Sequence, residues 1–212
     1  MTPIAPHVSA FFQQRLPVER GTSQHTIDSY AYALKLLLEY ASNQFGAAPS
    51  QLHLEQIDAT LVSAFLGHLE TQRKNTARTR NARLAAVKSF MRFVEHRVPA
   101  ALEQVRRILA IPMKKTDVRL VQHLTVDEVR AVLDVPDLQT RLGLRDRAML
   151  HLCFASALRV SELVGLTLAD VTFGEQPSIR VHGKGRRERC LPLWKQVSTD
   201  LRAWMAVRGE PP

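Results

Sequence analysis

The chain has 212 residues, a formal net charge of +9 and a hydrophobic fraction of 45%. This length suits one large domain or two small ones, and the hydrophobic fraction is enough for a buried core. Residues 1–20 do not resemble a secretion signal and the longest uncharged apolar stretch, 148–158, is too short to span a bilayer, so neither a secreted nor a membrane protein is predicted.

Positive charge is concentrated in the middle of the chain. Residues 71–130 contain 14 Lys and Arg against five Asp and Glu, whereas residues 1–70 contain three against six. A local excess of this size favours a surface that binds a polyanion over a face that is merely solvated.

Helical periodicity dominates the first half, where we predict a compact bundle of four or five helices. Thr22 and Ser23 are candidate caps for a helix with an apolar face at 27–41. Asp58 and Thr76 are candidate caps for the next two helices, and a short helix is predicted near 101–109. The apolar faces of these helices are expected to form the core.

The third predicted helix has a basic side as well as an apolar side. Its apolar positions Leu84, Val87, Met91 and Val94 recur every three or four residues. Its cations are predicted to bind DNA phosphates: Arg78, Arg80, Arg83, Lys88 and Arg92.

The hydrophobic periodicity is lost between residues 111 and 123. Pro112 disfavours helix in the residue before it, and Lys114 and Lys115 make the segment basic. We predict an extended linker. It is either a strap that contacts DNA through these two lysines or an ordinary polar connection.

The second half begins with a capping box at 125–128, in which Glu follows Thr by three residues. Helices are predicted from about residue 142 and around 160–166. The period then changes to two at 178–193, with a turn at 183–186, which predicts a β-hairpin. A last helix is predicted at 195–207.

Arg159 interrupts an otherwise apolar stretch at 150–166. A half-buried guanidinium is costly to desolvate and normally has an anionic partner. Glu162, three residues further on, is within reach on a helix. The pair is either a local ion pair or an arginine held ready to bind a phosphate with two hydrogen bonds.

Lys184 is predicted at the tip of the hairpin, between Gly183 and Gly185 and before Arg186 and Arg187. A lysine there is exposed and can reach a backbone phosphate or a leaving oxygen. By itself the segment also fits a solvated basic turn.

Several runs of residues resemble, in order and spacing, the start of the catalytic domain of the tyrosine recombinase (phage integrase) family. They are LRDRAML at 144–150, ALRVSELVGL at 157–166, DV at 170–171, IRVHGKGRRER at 179–189 and LPL at 191–193. Residues 26–41 and 75–93 are similar to the helical core-binding domain of the same family.

The resemblance implies a mainly α fold with a small β-hairpin. A SAM-like core-binding bundle is expected at 1–110, a basic linker at 111–123, and a truncated, mixed α+β catalytic domain at 124–212. It also implies duplex DNA and other recombinase protomers as partners, and a cytoplasmic, nucleoid-associated protein. No cofactor and no metal are expected, and Cys153 and Cys190 lack the spacing of metal ligands or of a disulfide framework.

The family's catalytic roles can be carried over to three residues. Arg159 would hold the non-bridging phosphate oxygens while a tyrosine attacks, and Glu162 would support the site. Lys184 would protonate the departing 5′ oxygen as a general acid. Ala157 stands where the family usually has Gly, a departure that we interpret as minor.

The family's His-x-x-Arg pair and its nucleophilic tyrosine have no match in this sequence. The only tyrosines, Tyr30, Tyr32 and Tyr40, lie in the first half, and His182 is the last histidine. We therefore expect that this chain alone does not cleave DNA. The sequence leaves three hypotheses open: part of a recombinase that is active in a longer form, a non-catalytic DNA-binding form that occupies recombination sites or interferes with a complete partner, and an unrelated helical scaffold with a basic surface.

Overall fold

A computed structural model describes residues 1–117, 122–183 and 187–209. The chain divides into two compact units, Met1–Arg119 and Leu120–Pro212. The division falls inside the segment 111–123 that the sequence predicts as a linker. We call them unit 1 and unit 2.

Unit 1 is a bundle of helices. They are α1 at Ala5–Ala10, which continues through wider π-type turns at Phe11–Glu19, α2 at Gln24–Phe45, α3 at Ala59–Thr71, α4 at Ala77–Arg97 and α5 at Leu102–Ala110. The first of these was not predicted. Pro6 lies in the first turn, where a missing N–H costs nothing.

The core of unit 1 follows the predicted apolar faces. Its buried cluster holds 25 described residues, including Phe11, Phe65 and Phe90. The rings of Phe11 and Phe90 pack edge to face with centroids 5.5 Å apart. The predicted caps are confirmed for α3 and α4. Asp58 accepts a hydrogen bond from the Leu61 amide at 2.7 Å, and Thr76 accepts one from the Thr79 amide at 3.2 Å.

Unit 2 is a mixed structure of helices and a small antiparallel sheet. Its helices are α6 at Val126–Asp134, α7 at Arg141–Ser156, α8 at Val160–Val164 and α9 at Lys195–Val207, and its strands are β1 at Val171–Thr172, β2 at Ser178–Gly183 and β3 at Arg187–Pro192. The hairpin of β2 and β3 confirms the prediction, with Gly183 opposite Arg187. The two-residue strand β1, which pairs with β2, was not predicted because two residues carry no periodicity.

The predicted capping box at the start of α6 is also confirmed. The Thr125 hydroxyl accepts a hydrogen bond from the Glu128 amide at 3.3 Å, and the Glu128 carboxylate accepts one from the Thr125 amide at 2.7 Å. In the part of the chain that the structure describes, no helix is both long and apolar enough to cross a bilayer.

The two units bury very different amounts of apolar surface. The buried cluster of unit 2 holds five described residues: Leu152, Ile179, Val181, Leu193 and Val197. Among the residues that the structure describes, eighteen large hydrophobic side chains are exposed, and thirteen of them belong to unit 2, including Leu142, Phe154, Val160 and Trp194. Because burial of apolar area is the main stabilising contribution, unit 2 should have the lower free energy of unfolding.

We therefore expect thermolysin to cut unit 2 well before unit 1, because segments that open at low free energy are cleaved first. Thermolysin is preferred to trypsin because its apolar specificity does not favour the lysine- and arginine-rich middle of the chain. Mass spectrometry of the early fragments should place the first cuts within 124–209. First cuts within the helices of unit 1 would show that the stability order is the reverse.

Candidate functional site

One side of α4 carries three cations and one asparagine at helical spacing. Arg78, Asn81, Lys88 and Arg92 are separated by three, seven and four residues and therefore line one stripe of the helix. Arg78 and Arg92 are exposed. We call these four residues the α4 stripe.

Arg80 was predicted to contact DNA, but its side chain is buried with 7% relative exposure. It donates a hydrogen bond to the Pro112 carbonyl at 3.0 Å. The physical reason is its position, four residues before Leu84, on the apolar side of α4. The prediction for Arg80 is therefore corrected: this guanidinium holds the chain after α5 and does not face solvent.

The α4 stripe also binds the start of the predicted linker. Lys88 Nζ donates to the Ile111 carbonyl at 2.6 Å. The Asn81 amide nitrogen donates to the Lys114 carbonyl at 2.8 Å, and its oxygen accepts from the Lys114 amide at 3.0 Å. Residues 111–114 lie outside the helices and strands and are attached to α4 by these hydrogen bonds. Burial, with Arg92 and Arg80 nearby, lowers the pKa of Lys88.

The remaining predicted cations of unit 1 differ in their surroundings. Arg83 is half-buried, and its guanidinium lies over the ring of Tyr32, 4.7 Å from the ring centroid. Lys114 forms an ion pair with Glu70 at 2.8 Å, whereas Lys115 is exposed. The cations best placed to meet a phosphate are therefore Arg78, Arg92 and Lys115.

In unit 2 the structure brings Arg159 and Glu162 together. Arg159 is the N-cap of α8, and Glu162 lies in its first turn. The Glu162 carboxylate accepts from the Arg159 amide at 2.9 Å and from Arg159 Nη1 at 3.0 Å. The Glu162 side chain is 4% exposed, whereas that of Arg159 is 71% exposed. The Arg159 guanidinium is therefore bound to Glu162 through one nitrogen, Nη1, and is otherwise exposed to solvent.

A third residue, Arg189 of β3, completes this cluster and was not predicted. Its Nη1 and Nη2 donate to Glu162 Oε1 and Oε2 at 3.1 and 2.9 Å. These bonds from Arg189, followed by the bond from the Arg159 amide, lower the pKa of Glu162 to about 2. The carboxylate is therefore ionised at neutral pH. The sequence did contain a signal: Arg189 is two residues before Leu191 and therefore lies on the same face of β3 as this apolar residue.

A second acid, Asp170, contacts the hairpin close to its turn. Its Oδ1 lies 3.1 Å from His182 Nε2 on β2, and His182 Nδ1 lies 3.2 Å from Glu188 Oε1 on β3. Asp170 also accepts from the amide and hydroxyl of Thr167. These Thr167 bonds, together with the bond to His182, lower the pKa of Asp170 to about 2. Through His182, the strands β2 and β3 are thus both connected to Asp170, in the segment between α8 and β1.

Two predicted site residues, Lys184 and Arg186, lie outside the described residues. Arg187 is exposed at the first position of β3. The structure therefore describes the two strands of the hairpin, β2 up to Gly183 and β3 from Arg187.

Ala157 ends α7 in the left-handed conformation, with φ 46° and ψ 44°. A Cβ is strained there, whereas glycine is not. We expect Ala157→Gly to raise the free energy of unfolding of unit 2 by about 1 kcal/mol. Urea unfolding followed by tryptophan fluorescence measures this selectively, because both tryptophans, Trp194 and Trp204, lie in unit 2.

A matched control for this substitution is Ala203→Gly, inside α9. It should lower the free energy of unfolding by about 1 kcal/mol, because glycine is a poor helix former. Destabilisation by both substitutions would contradict the strained conformation at residue 157.

The arrangement of a helical unit followed by a mixed unit with this arginine cluster agrees with two family models. "Phage integrase, N-terminal SAM-like domain" matches residues 10–97, and "Phage integrase family" matches residues 122–211. The chain belongs to the phage integrase family, the tyrosine recombinases.

Curated relatives agree with this assignment. Two proteins of Sinorhizobium fredii, y4rC and y4rD, are named provisionally as integrase/recombinase; they are 43% and 37% identical over 95% and 97% of this chain. Tyrosine recombinase XerC of Myxococcus xanthus is 35% identical over 99% of this chain. The chain spans 61%, 74% and 66% of the length of these three relatives.

Solved structures share the fold. The XerH site-specific recombinase bound to palindromic difH substrate has a TM-score of 0.66 and 20% identity, covering 89% of this chain and 55% of that chain. Lambda integrase(75-356), a dimer bound to a COC' core site, has a TM-score of 0.60 and 19% identity, covering 90% of this chain and 62% of that chain.

Proposed function

We propose that the chain binds duplex DNA as part of a site-specific recombination or integration system. The observation that carries this proposal is the exposure of Arg78 and Arg92 on the α4 stripe and of Lys115, whose neighbour Lys114 is bound by Asn81 of that stripe. Duplex DNA presents a regular row of phosphates, and such cations bind it by releasing counterions. Recombinase protomers on the same DNA are the proposed protein partners, and a cytoplasmic location at the nucleoid is proposed with them.

In unit 2 the proposed role of Arg159 is to bind the non-bridging oxygens of the scissile phosphate. Its exposure and its single tether to Glu162 support this role, because most of its donors face solvent. Glu162 orients it. Lys184 is proposed as the general acid for the departing 5′ oxygen, and Arg186 and Arg187 as phosphate contacts of the hairpin.

The 212-residue chain is proposed to bind DNA without forming a covalent link to it. Its three tyrosines, Tyr30, Tyr32 and Tyr40, all lie on α2 of unit 1. A non-catalytic role, in which the chain occupies recombination sites or interferes with a complete partner, is the second candidate function. The exposed cations Arg78, Arg92 and Lys115 support it as well.

A binding selection tests the proposed function. The chain is incubated with sheared DNA of its own source at about 0.15 M salt, and the retained fragments are sequenced. We expect enrichment of fragments with a common sequence, and retardation of a duplex that carries it. If all fragments are retained alike and a modest rise in salt abolishes their retention, the chain is only a scaffold with a basic surface, which contradicts the proposal.

A further inference from the structure

The cluster around Glu162 contains one carboxylate and two guanidinium groups. Arg189 contacts both carboxylate oxygens, at 3.1 and 2.9 Å. The Arg159 guanidinium contacts the same carboxylate through Nη1 alone, at 3.0 Å, while the Arg159 backbone amide donates to Oε2 at 2.9 Å. The two arginines are therefore bound unequally, and the two-bond geometry that is the stronger one belongs to Arg189.

Because Arg189 and Arg159 share the Glu162 carboxylate unequally, the positive charge of Arg159 is left largely uncompensated. A carboxylate with one arginine forms a neutral pair, and in such a pair the guanidinium uses two of its donors for its partner. Here Arg189 occupies both oxygens, so the cluster carries one net positive charge. That charge lies on the side chain that is 71% exposed, whereas Arg189 is 37% exposed.

We propose that Arg189 is a positioning residue, which satisfies Glu162 so that the Arg159 guanidinium stays available for a phosphate. This inference rests on the proposed role of Arg159. Arg189 acts through Glu162 and is not itself assigned to the substrate.

The sheet fixes Arg189 in the place that this role requires. Arg189 lies opposite Val181 in the register of β2 and β3, and Val181 is fully buried. The cluster also touches the end of β2: a Cβ added to Gly183 would lie 3.5 Å from Glu162 Oε1 and 3.5 Å from Arg189 Nη1. The carboxylate is therefore packed against the backbone just before the hairpin turn, which restricts its own movement.

The test compares Arg189→Gln and Arg189→Lys with a matched control, Arg180→Gln. Arg180 is an exposed cation on β2, opposite Cys190, so its replacement makes the same change in charge. Inorganic phosphate is titrated into the full chain while the Arg159 Nε–Hε resonance is followed by NMR. The pKa of Glu162 is measured from its carboxyl carbon in the same samples.

Two results are expected for Arg189→Gln. The dissociation constant for phosphate at Arg159 should rise roughly tenfold, about the contribution of one charge-assisted hydrogen bond. The pKa of Glu162 should rise from about 2 towards its ordinary value of 4.5, because the largest cause of its lowering is lost. Arg189→Lys should fall between Arg189→Gln and the wild type, and Arg180→Gln should change neither quantity.

Other outcomes overturn the inference. If Arg189→Gln shifts the pKa of Glu162 but leaves phosphate affinity at Arg159 unchanged, Arg189 is only structural. If Arg189→Gln and Arg180→Gln lower the affinity for phosphate at Arg159 equally, the effect comes from the change in net charge and not from the position of Arg189. If Arg189→Gln does not fold, Arg189→Lys provides the test. The inference then requires that Arg189→Lys lowers the affinity for phosphate at Arg159. Failure of duplex binding by the cations of unit 1 is a separate result that would overturn the proposed function.

Discussion

Replacing Arg78, Arg92 and Lys115 together by glutamine should lower the affinity for duplex DNA roughly a hundredfold at about 0.1 M salt. The reason is counterion release: each phosphate contact contributes about 0.9 to the slope of log affinity against log salt, so the slope should fall by about 2.7. Fluorescence anisotropy with a labelled duplex, repeated over a range of salt concentrations, measures both quantities. The loss should be the same for unrelated sequences, because phosphate contacts carry no base information.

The matched control removes three exposed cations of unit 1 that lie on other helices or turns: Arg20, Lys35 and Arg106. The net change in charge is identical, so any difference from the first triple variant reports position. The control should lose much less affinity and keep most of the salt slope. Equal losses in the two variants would show that the chain attracts DNA by its total charge and that Arg78, Arg92 and Lys115 do not form its binding surface.

Gly143→Ala should lower the free energy of unfolding of unit 2 by about 3 kcal/mol, from overpacking together with damage to a helix cap. A Cβ at residue 143 would lie 1.8 Å from the Asp137 carbonyl oxygen and 2.6 Å from its carbon. That oxygen accepts hydrogen bonds from the Thr140 amide at 3.1 Å and hydroxyl at 3.0 Å. The Thr140 hydroxyl in turn caps α7 by accepting from the Gly143 amide at 3.0 Å. The backbone therefore cannot move aside without breaking the cap.

Urea unfolding followed by tryptophan fluorescence reports this effect, since Trp194 and Trp204 both lie in unit 2. The control is Gly67→Ala inside α3, where an added Cβ meets no atom within 4 Å. It should stabilise unit 1 by about 1 kcal/mol through helix propensity and leave the fluorescence transition in place. A fluorescence transition for Gly143→Ala that matches the wild type would refute the close approach to Asp137.

The sequence was sufficient to predict the elements that carry strong periodicity or caps. The helix at 195–207, the hairpin, and the caps at Asp58, Thr76 and Thr125 are all present as predicted. These features depend on local backbone chemistry, which neighbouring residues largely determine.

The errors arose where tertiary packing decides the outcome. Arg80 was grouped with its basic neighbours, although extending the spacing of Leu84, Val87 and Met91 backwards by four residues places it on the buried side. Arg189 was passed over because its partner, Glu162, is 27 residues away in sequence. Ala157 was interpreted as a minor departure, and its positive φ now explains why glycine is favoured there.

We propose that the 212-residue chain binds duplex DNA but does not form a covalent link with it. The most direct measurement uses a nicked suicide duplex that carries the sequence recovered by the binding selection. Retardation and denaturing gels are run on the same sample. We predict a retarded complex that dissociates completely on denaturation. A protein–DNA band that survives denaturation, and that disappears when Tyr30, Tyr32 or Tyr40 is changed to Phe, would contradict this account.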